Sequence, residues 1–373
     1  MTLVDTDRHG RHGLAPISDD QTVAAVDRLI ADTMSRLRAD WAALSAAVVP
    51  RPDVLHTDSV LELLSGLLAT GGKRFRPRMV HWGWLAATGG NDPASYHHVP
   101  RIGAALELLH GFALIHDDVM DGSETRRGYP SVHAQARQQH VRWGSFGDPQ
   151  RYGENIAILA GDLAHSEASM IAAELPAHLR TLWRTLSVEL MIGQGRDLVG
   201  AANGRRDLEH ARQVARAKSG AYTVWRPLQL GAAAGGGSAE LFDALESYGI
   251  AVGEAFALRD DILGVIGDER ATGKPVGDDL IAGKPTVLLA LATQRFSPKW
   301  QRLLARTGSG ELSSEEVEGL RQELINSGVI DEVESMISAA VQQASAALES
   351  PAVHPSAREG LLRLAHRVAW RSA

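Results

Sequence analysis

Residues 108–121, with the sequence LLHGFALIHDDVMD, form an apolar helical run that ends in three aspartates. Asp117 and Asp121 are four residues apart, so a helix places both side chains on one face, about 5–6 Å apart at Cβ. Like charges at this spacing cost a helix roughly 0.2–0.5 kcal/mol, which favours a cation between them. Mg²⁺ is usually bound by one or two carboxylates together with substrate phosphates and water. The stretch therefore predicts either a divalent-cation site or a solvated acidic helix end.

Two basic segments complement this acidic helix end. Arg126 and Arg127 lie just downstream, and guanidinium groups pair bidentately with phosphate oxygens. Upstream, the segment 71–77, GGKRFRP, has glycines that end one helix and a proline that favours the start of the next. Lys73 and Arg76 are thereby predicted beside a helix N-terminus, where free amide groups and the helix dipole favour anions. The alternative is an ordinary basic turn between helices.

The acidic pattern is repeated later in the chain. Phe256-Ala257-Leu258 precedes Asp260 and Asp261 much as Phe112-Ala113-Leu114 precedes Asp117 and Asp118. Two apolar helices that each end in an aspartate pair predict two carboxylate clusters facing each other across a helical bundle, as in bundle metal sites.

Other polar residues interrupt apolar helical patterns or lie in loops. Gln194 and Asp197 lie on an otherwise apolar helix, and Gly220 predicts a local break beside Lys218, because glycine costs a helix about 1 kcal/mol relative to alanine. Lys274 and Lys284 lie in Gly/Pro-rich segments, where lysines can sit over phosphates as point charges. Each also has an ordinary interpretation as a cap, surface or turn residue.

Composition restricts the class of protein. The 373 residues are 44% hydrophobic and 22% charged, which is typical of a globular protein with a large core. A net charge of −7 argues against a nucleic-acid-binding protein, and the absence of cysteine excludes disulfides and thiolate metal sites. No apolar run of about 18 residues is present, so we expect no transmembrane segment. Residues 1–20 lack an apolar signal core, which predicts a flexible tail on a cytoplasmic protein.

Helical periodicity covers most of the remaining chain, and no stretch alternates like a β-strand, so we predict an all-α fold. The length allows one domain or two, and we expect one, over residues 21–373. Two segments, 130–152 and 267–283, are expected to be irregular connections. Gly231 to Gly237 predicts either a loop or close helix packing. The predicted helical segments are 21–49, 59–68, 155–175, 181–199, 241–266 and parts of 313–370.

Taken in order, these motifs resemble those of the trans-isoprenyl (polyprenyl) diphosphate synthases, from about residue 58 to residue 291. The resemblance implies an isoprenoid-synthase-type helical bundle around a central apolar cavity, and a homodimer. It also implies Mg²⁺, with three ions per active site and two or more on the first aspartate cluster. The matching segments are 71–77, 117–121, 126–128, 193–197, 218–219, 260–261, 273–274 and 283–284.

The resemblance implies a prenyltransferase reaction. An allylic diphosphate (dimethylallyl, geranyl or farnesyl) would bind through Mg²⁺ to both aspartate clusters and ionise, with catalysis mainly by electrostatic stabilisation of the leaving diphosphate. Isopentenyl diphosphate would add to the allylic cation and lose a proton, giving a product five carbons longer. The residues implied to bind the allylic diphosphate are Arg126, Lys218 and Lys274, and those implied to bind isopentenyl diphosphate are Lys73, Arg76, His110 and Arg127.

The family pattern also assigns individual roles. Asp117, Asp121 and Asp260 would contact metal directly, whereas Asp118 and Asp261 would hold metal-bound waters. The further residues implied to support Lys218 or to bind substrate are Gln194, Asp197, Ser219 and Lys284. One position departs from the pattern, because Gly264 replaces the last aspartate of the second motif. We expect weaker metal affinity there without loss of activity, since losing such an outer partner typically costs 10- to 100-fold in metal affinity or activity.

Product length is expected to depend on residues that line the apolar helix before Asp117. Phe112 lies five residues upstream, about 7–8 Å along the helix axis, while Ala113 is small. One aromatic residue and no insertion resemble geranylgeranyl diphosphate synthases, so a twenty-carbon product is expected, with Leu109 as the next barrier. The alternatives are a farnesyl diphosphate or longer-chain synthase. An ordinary core role for Phe112 also remains open.

Two other functions remain as alternatives. A class I terpene cyclase also uses an aspartate-rich motif, but its usual N-D-x-x-S-x-x-x-E cluster is absent and segment 71–77 would have no role. An inactive partner subunit of a synthase would typically lack some aspartates or basic residues that this chain retains.

Overall fold

The computed structural model describes residues 17–48, 56–57, 59–267 and 278–371, except for the side chains of Val48, Ser219, Asp278 and Asp279. Within these ranges the chain is almost entirely helical, which confirms the all-α prediction. The helices are α1 (Asp19–Val48), α2 (Ser59–Ala69), α3 (Phe75–Thr88), α4 (Pro93–Tyr96), α5 (His98–Asp121), α6 (Val132–Arg142), α7 (Pro149–Ala173), α8 (Ala177–Ala202), α9 (Leu208–Val214), a π-helix (Ala215–Trp225), α10 (Arg226–Ala234), α11 (Ala239–Ile266), α12 (Asp278–Ala282), α13 (Val287–Arg295), α14 (Pro298–Leu304), α15 (Ser314–Asn326), α16 (Val329–Ala347) and α17 (Pro355–Ala369).

Three hydrophobic clusters hold these helices together. The largest includes buried residues of α3, α5, α8, α10, α11 and α17 around Trp84 and Tyr248. A second cluster joins the C-terminal half of α11 to α13 through α16, and a third joins α1, α2, α5, α6 and α7. Phe112 of α5 packs against both the first and the third cluster. The end of α5 that carries the first aspartates thus emerges between two parts of the core.

Small residues allow several helices to cross closely. The buried face of α7 consists of glycine and alanine, from Gly153 to Ala172, and this face packs along α5. A Cβ on Gly83 of α3 would lie 2.1 Å from the carbonyl oxygen of Leu228, and one on Gly231 of α10 would lie 2.0 Å from that of Val80. Gly231 therefore belongs to a close helix crossing, which was one of the two interpretations of the segment 231–237.

Three boundaries differ from the predictions. The segment 130–152 is not irregular throughout, because α6 occupies much of it and buries Ala134, Ala136 and His140 rather than large apolar residues. Hydrophobic periodicity does not detect a helix that packs through alanine and histidine. The short helix α12 likewise falls within the connection predicted after α11. Asp19 and Asp20 of the predicted tail already belong to α1, where both pair with Arg78.

Among the described helices, α7 is long and apolar enough to cross a membrane by length and composition. Core helices of soluble proteins meet the same two criteria, so this is weak support for a membrane span. The expectation that no segment spans a membrane stays a prediction.

Candidate active site

Asp117 lies one turn before the end of α5 and is surrounded by polar groups from other helices. Lys218 Nζ is 2.9 Å from Asp117 Oδ1, and Gln194 Nε2 donates to the same oxygen at 3.2 Å. Burial alone would raise the pKa of Asp117, but Lys218, Lys284 and Arg126 outweigh it and lower the pKa to about 2. The carboxylate is therefore ionised at neutral pH and available as a hard ligand.

Asp118 and Arg126 form a buried pair. Asp118 is 2% exposed, and Arg126 Nε donates to its Oδ1 at 2.9 Å. Arg126 is presented by a small hairpin in which strand β1 (Thr125–Arg126) pairs antiparallel with β2 (Tyr129–Pro130). Both turn residues, Arg127 and Gly128, have positive φ (55° and 77°), as a type I′ turn requires. The two arginines thus point in different directions from one rigid turn.

Asp121, the last residue of α5, pairs with Lys284, whose Nζ is 2.8 Å from Asp121 Oδ2. The segment before Lys284 is held in place by Arg206, which donates to the carbonyl oxygen of Gly283 at 2.8 Å. Gly283 has a φ of 63°, and a Cβ there would lie 2.8 Å from the nitrogen of Gly308. Lys284 therefore reaches the first aspartate cluster from a well-anchored turn.

Lys218 is carried by the π-helix, so the helix changes its hydrogen-bonding pattern beside Gly220 but does not break there as predicted. Its Nζ bridges Asp117 and Asp197, at 2.6 Å from Asp197 Oδ2, and these carboxylates outweigh burial to raise the pKa of Lys218. A Cβ on Gly193 of α8 would lie 2.6 Å from the backbone nitrogen of Lys218. A Cβ on Gly253 of α11 would lie 2.7 Å from the Cα of Gly220. Three glycines therefore allow the π-helix to sit between α8 and α11.

The second aspartate cluster lies near the end of α11. Asp260 forms an ion pair with Arg371, near the C-terminus of the described chain. Asp261 accepts a hydrogen bond from the backbone nitrogen of Val287 at 3.0 Å, at the start of α13. Since Val287 follows Lys284 by three residues, the same short segment contacts both aspartate clusters.

A group of basic side chains surrounds His110, which lies about two turns before Asp117 on the same face of α5. Arg76 is buried, donates to Thr223 Oγ1 at 3.0 Å and lies 4.1 Å from the centroid of the Tyr222 ring. Burial lowers the pKa of His110 well below its usual range, and the charges of neighbouring arginines, Arg76 and Arg127 foremost, lower it further. His110 is therefore neutral and can donate or accept a hydrogen bond.

Lys73 and Arg127 lie in the two loops that flank this group. Arg127 Nη2 lies 3.1 Å from the Cβ position of Gly72, and Arg127 donates to the carbonyl oxygen of Gly71. Burial lowers the pKa of Arg127, and burial followed by the charge of Arg371 lowers that of Lys73. For these two cations, burial and neighbouring positive charges outweigh the nearest carboxylates, Glu107 and Asp260, an arrangement that suits the binding of an anion.

Two chains of contacts connect the acidic clusters. One chain of contacts runs from Asp121 through Lys284 to Val287 and Asp261. A second runs from Asp117 through Lys218 on the π-helix, which packs on α11 by way of Gly220. That the two acidic helix ends face each other across the bundle stays a prediction.

The donor set suits a divalent cation that also contacts a substrate. Within the described residues, no group of three or more His, Cys, Asp or Glu is arranged to hold a metal ion alone. Mg²⁺ sites, however, commonly use one or two carboxylates and complete the shell with phosphate and water. Asp117, Asp121 and Asp260 supply such carboxylates, and each is paired here with a basic side chain, Lys218, Lys284 and Arg371 respectively.

The predicted product-length residues lie where α5 enters the core. The Phe112 ring is 4.5 Å from the His116 ring and 4.9 Å from that of His165 on α7. Leu109 is fully buried in the largest hydrophobic cluster, and Ala113 is half-buried against it. His165 was not predicted from the sequence, because nothing in the pattern of α7 distinguishes it.

Other site residues were also missed. Arg74, with an uncommon positive φ of 49°, pairs with the buried carboxylate of Glu107 at 2.7 Å and with Asp27. A glutamate within the apolar run of α5 was the available signal for this pair. Arg371 belongs to no motif. The predicted site residue Lys274 and the side chain of Ser219 lie outside the described residues.

Known proteins are similar to this chain in both sequence and fold. The polyprenyl synthetase family model matches residues 57–324. A short chain isoprenyl diphosphate synthase of Methanothermobacter thermautotrophicus is 34% identical over 261 residues, which are 68% of this chain and 73% of that protein. A geranylfarnesyl diphosphate synthase of Aeropyrum pernix is 31% identical over 303 residues, which are 79% of this chain and 88% of that protein.

A solved structure extends the match in three dimensions. The crystal structure of geranylgeranyl pyrophosphate synthase from Corynebacterium glutamicum, complexed with isoprenyl diphosphate and magnesium, is 36% identical. It superposes with a TM-score of 0.87 and covers 95% of this chain and 100% of its own. The chain belongs to the polyprenyl synthetase family. It is a prenyltransferase with the all-α fold of that family.

Proposed function

We propose that this protein condenses isopentenyl diphosphate with an allylic diphosphate to give geranylgeranyl diphosphate. The observation that supports the proposal most strongly is that the groups contacting α5 differ in charge along the helix. Three aspartates at its end meet lysines and an arginine, whereas arginines surround His110 about two to three turns earlier. Among these arginines, Arg127 is partly buried near other positive charges, which lower its pKa. Two neighbouring sites of different charge suit two diphosphates, one bound through a cation and one bound directly.

We assign Mg²⁺ to the acidic site. Asp117, Asp121 and Asp260 are proposed to hold it directly, and the Corynebacterium glutamicum relative, a synthase, was crystallised with magnesium and isoprenyl diphosphate. Mg²⁺ would supply Lewis-acid stabilisation of the diphosphate that leaves the allylic substrate. Three ions, and the roles of Asp118 and Asp261 in holding metal-bound water, are part of the proposal.

The side chains of this chain have separable roles in the proposed reaction. Lys218, positioned by Asp197 and Asp117, and Arg126, positioned by Asp118, would stabilise negative charge on the leaving diphosphate. Arg76, Arg127 and Lys73 would bind isopentenyl diphosphate and orient its double bond toward the allylic carbon. Neutral His110 would donate a hydrogen bond there rather than add charge. Lys284 and Lys274 are proposed to complete the allylic site.

The proposed product length of twenty carbons depends on the position of Phe112. Its ring lies between two histidine rings on α5 and α7, where a growing chain that starts at Asp117 would meet it. A farnesyl diphosphate or longer-chain product remains the alternative, because the relatives at 31–36% identity are named for products of more than one length.

A homodimer is proposed from an exposed apolar face on α8. Val188, Met191, Ile192 and Val199 are 45–62% exposed and recur at helical spacing, and Leu159 and Met170 of neighbouring α7 are also exposed. Contiguous exposed apolar surface of this kind marks protein interfaces. A cytoplasmic location and a single domain over residues 21–373 are likewise proposed.

Purified protein incubated with Mg²⁺, labelled isopentenyl diphosphate and each five-, ten- or fifteen-carbon allylic diphosphate tests the proposal. We expect polyprenyl diphosphates whose dephosphorylated forms peak at twenty carbons, formed by this chain alone. Asp117→Ala should lower turnover by about 10²–10³-fold with unchanged circular dichroism, because the metal that stabilises the leaving diphosphate loses a ligand. The control Asp243→Ala, an exposed carboxylate on α11, should retain activity. Absence of elongation by the wild-type protein, or full activity of Asp117→Ala, would contradict the proposal.

A further inference from the structure

Arg371 lies against the second aspartate cluster in a preorganised position. Arg259 anchors the end of α17, because its Nε donates to the carbonyl oxygen of Ala369 at 2.5 Å and its Nη2 donates to Glu334 at 2.6 Å. Two residues later, the Arg371 guanidinium stacks over the Phe256 ring at 4.0 Å and pairs with Asp260. Its side chain is 9% exposed, whereas that of Asp260 is 53% exposed.

We infer that Arg371 is a positioning residue that acts through Asp260, holding this carboxylate as its counterion until a divalent cation displaces it. The inference rests on the proposed function, which makes Asp260 a metal ligand. A guanidinium and a divalent cation repel each other when both approach one carboxylate, so metal binding at Asp260 competes with the ion pair. Neither the aspartate motif nor the basic motifs contain Arg371.

The surroundings of Arg371 explain why the ion pair is more than a surface contact. The ring of Phe256 beneath the guanidinium packs edge-to-face on Phe75, at 6.2 Å between centroids. Stacking and the α17 anchor fix the guanidinium before it pairs, so little side-chain entropy is lost in forming the ion pair. Arg371 is also close enough to Lys73 for its charge, after burial, to lower the pKa of that lysine. The pair therefore lies where the proposed metal and isopentenyl diphosphate sites meet.

The two possible roles of Arg371 predict opposite changes in metal affinity when this side chain is removed. If Arg371 only stabilises the local fold, its loss disorders Asp260 and weakens metal binding. If it competes with metal, its loss strengthens metal binding. We therefore propose to measure Mn²⁺ affinity of the full-length protein by electron paramagnetic resonance of free Mn²⁺, since Mn²⁺ prefers the same oxygen ligands as Mg²⁺.

We expect Arg371→Ala to bind Mn²⁺ at the Asp260 site about threefold more tightly than the wild type. A change of this size is typical of the free energy that a partly exposed ion pair contributes. The Mn²⁺ affinity of Arg371→Lys should lie between those of the wild type and Arg371→Ala, because lysine keeps the charge but lacks the planar guanidinium that stacks on the ring. The matched control Arg363→Ala removes an arginine of the preceding helix α17 that pairs with Glu359 at the surface, and its Mn²⁺ affinity should equal that of the wild type.

A second comparison separates this inference from the proposed function. In an Asp260→Asn background, Arg371→Ala should not change Mn²⁺ affinity, since the ion pair is already lost. Equal or weaker Mn²⁺ binding by Arg371→Ala, or the same gain in the Asp260→Asn background, overturns the inference. Turnover of the diphosphate substrates by the wild-type protein is measured separately, so its absence counts against the proposed function instead.

Discussion

At the residue scale, individual side chains of α5 have different roles in the site. The aspartates at its end point toward lysines and an arginine from distant segments, while Phe112 points into the core. The spacing of Asp117 and Asp121 was enough to predict a shared face. Their partners were not predictable from that spacing, because Lys218 is 101 residues away from Asp117 in the chain.

Phe112→Ala is expected to lengthen the product beyond twenty carbons. Removing the ring opens space between His116 and His165, into which the growing chain can extend. The measurement is the chain-length distribution after dephosphorylation, with farnesyl diphosphate as primer. Phe296→Ala, which removes a buried phenylalanine of the second hydrophobic cluster, is the control and should leave the distribution unchanged while lowering stability by about 3–5 kcal/mol. An unchanged product from Phe112→Ala would mean that Phe112 is an ordinary core residue.

At the scale of elements, close helix crossings determine where the catalytic groups lie. The π-helix that carries Lys218 approaches α8 at Gly193, and the same motif contains a second glycine, Gly195, on the exposed side of α8. These two positions look alike in the sequence but differ in their surroundings, so they form a matched pair for mutagenesis.

Gly193→Ala should lower both stability and turnover. The new Cβ would lie 2.6 Å from the Lys218 backbone nitrogen, so the π-helix must shift, at a cost of about 1–3 kcal/mol for an overpacked contact. Gly195→Ala meets no atom within 4 Å and should instead stabilise the protein by up to about 1 kcal/mol through helix propensity. Urea denaturation and steady-state kinetics measure both effects. Equal behaviour of the two variants would show that the crossing is not tight.

His81 makes the docking of α1 sensitive to acid. Its Nδ1 lies 2.8 Å from Thr22 Oγ1, which also contacts the hydroxyl of Tyr96, so α1, α3 and α4 meet at one buried network. Burial, assisted by Arg78 and opposed by Asp19, lowers the pKa of His81 to about 4. The unfolded chain therefore takes up a proton first, near pH 6.5, and the associated stability is present above that pH and lost as the pH falls toward 4.

The wild-type protein should thus lose about 3 kcal/mol more unfolding free energy between pH 7 and pH 4 than His81→Gln does, at 1.36 kcal/mol per pKa unit. Urea denaturation at several pH values measures the difference. His178→Gln, which changes an exposed histidine of α8, should follow the wild-type dependence. Parallel curves for wild type and His81→Gln would contradict the assignment.

At the scale of the whole molecule, the exposed apolar face on α8 is the feature that a monomer leaves unexplained. Ile192→Glu should convert the proposed dimer to a monomer, because a charge on a buried apolar interface has no partner. Light scattering after size-exclusion chromatography measures the mass. Ile325→Glu, at a similarly exposed isoleucine on α15, is the control and should leave the mass unchanged. A monomeric wild-type protein would contradict the proposal, as would a dimeric Ile192→Glu.

Much of this molecule follows from local sequence alone. Apolar periodicity predicted most of the long helices, and the Asp117–Asp121 spacing predicted a shared acidic face, because both depend only on the 3.6-residue turn. The helix α6 was missed, since four of its five buried residues are alanine or histidine. The order of motifs was sufficient for the family, which the comparisons confirm.

Only the tertiary structure decided which charges meet. Asp260 and Arg371 are 111 residues apart, and no spacing rule relates them. Their contact depends on how α17 packs on α11, and the contact of Lys218 with Asp117 depends on glycines that let the π-helix approach α8. Helix periodicity acts over a few residues, whereas these pairs depend on close packing between distant segments.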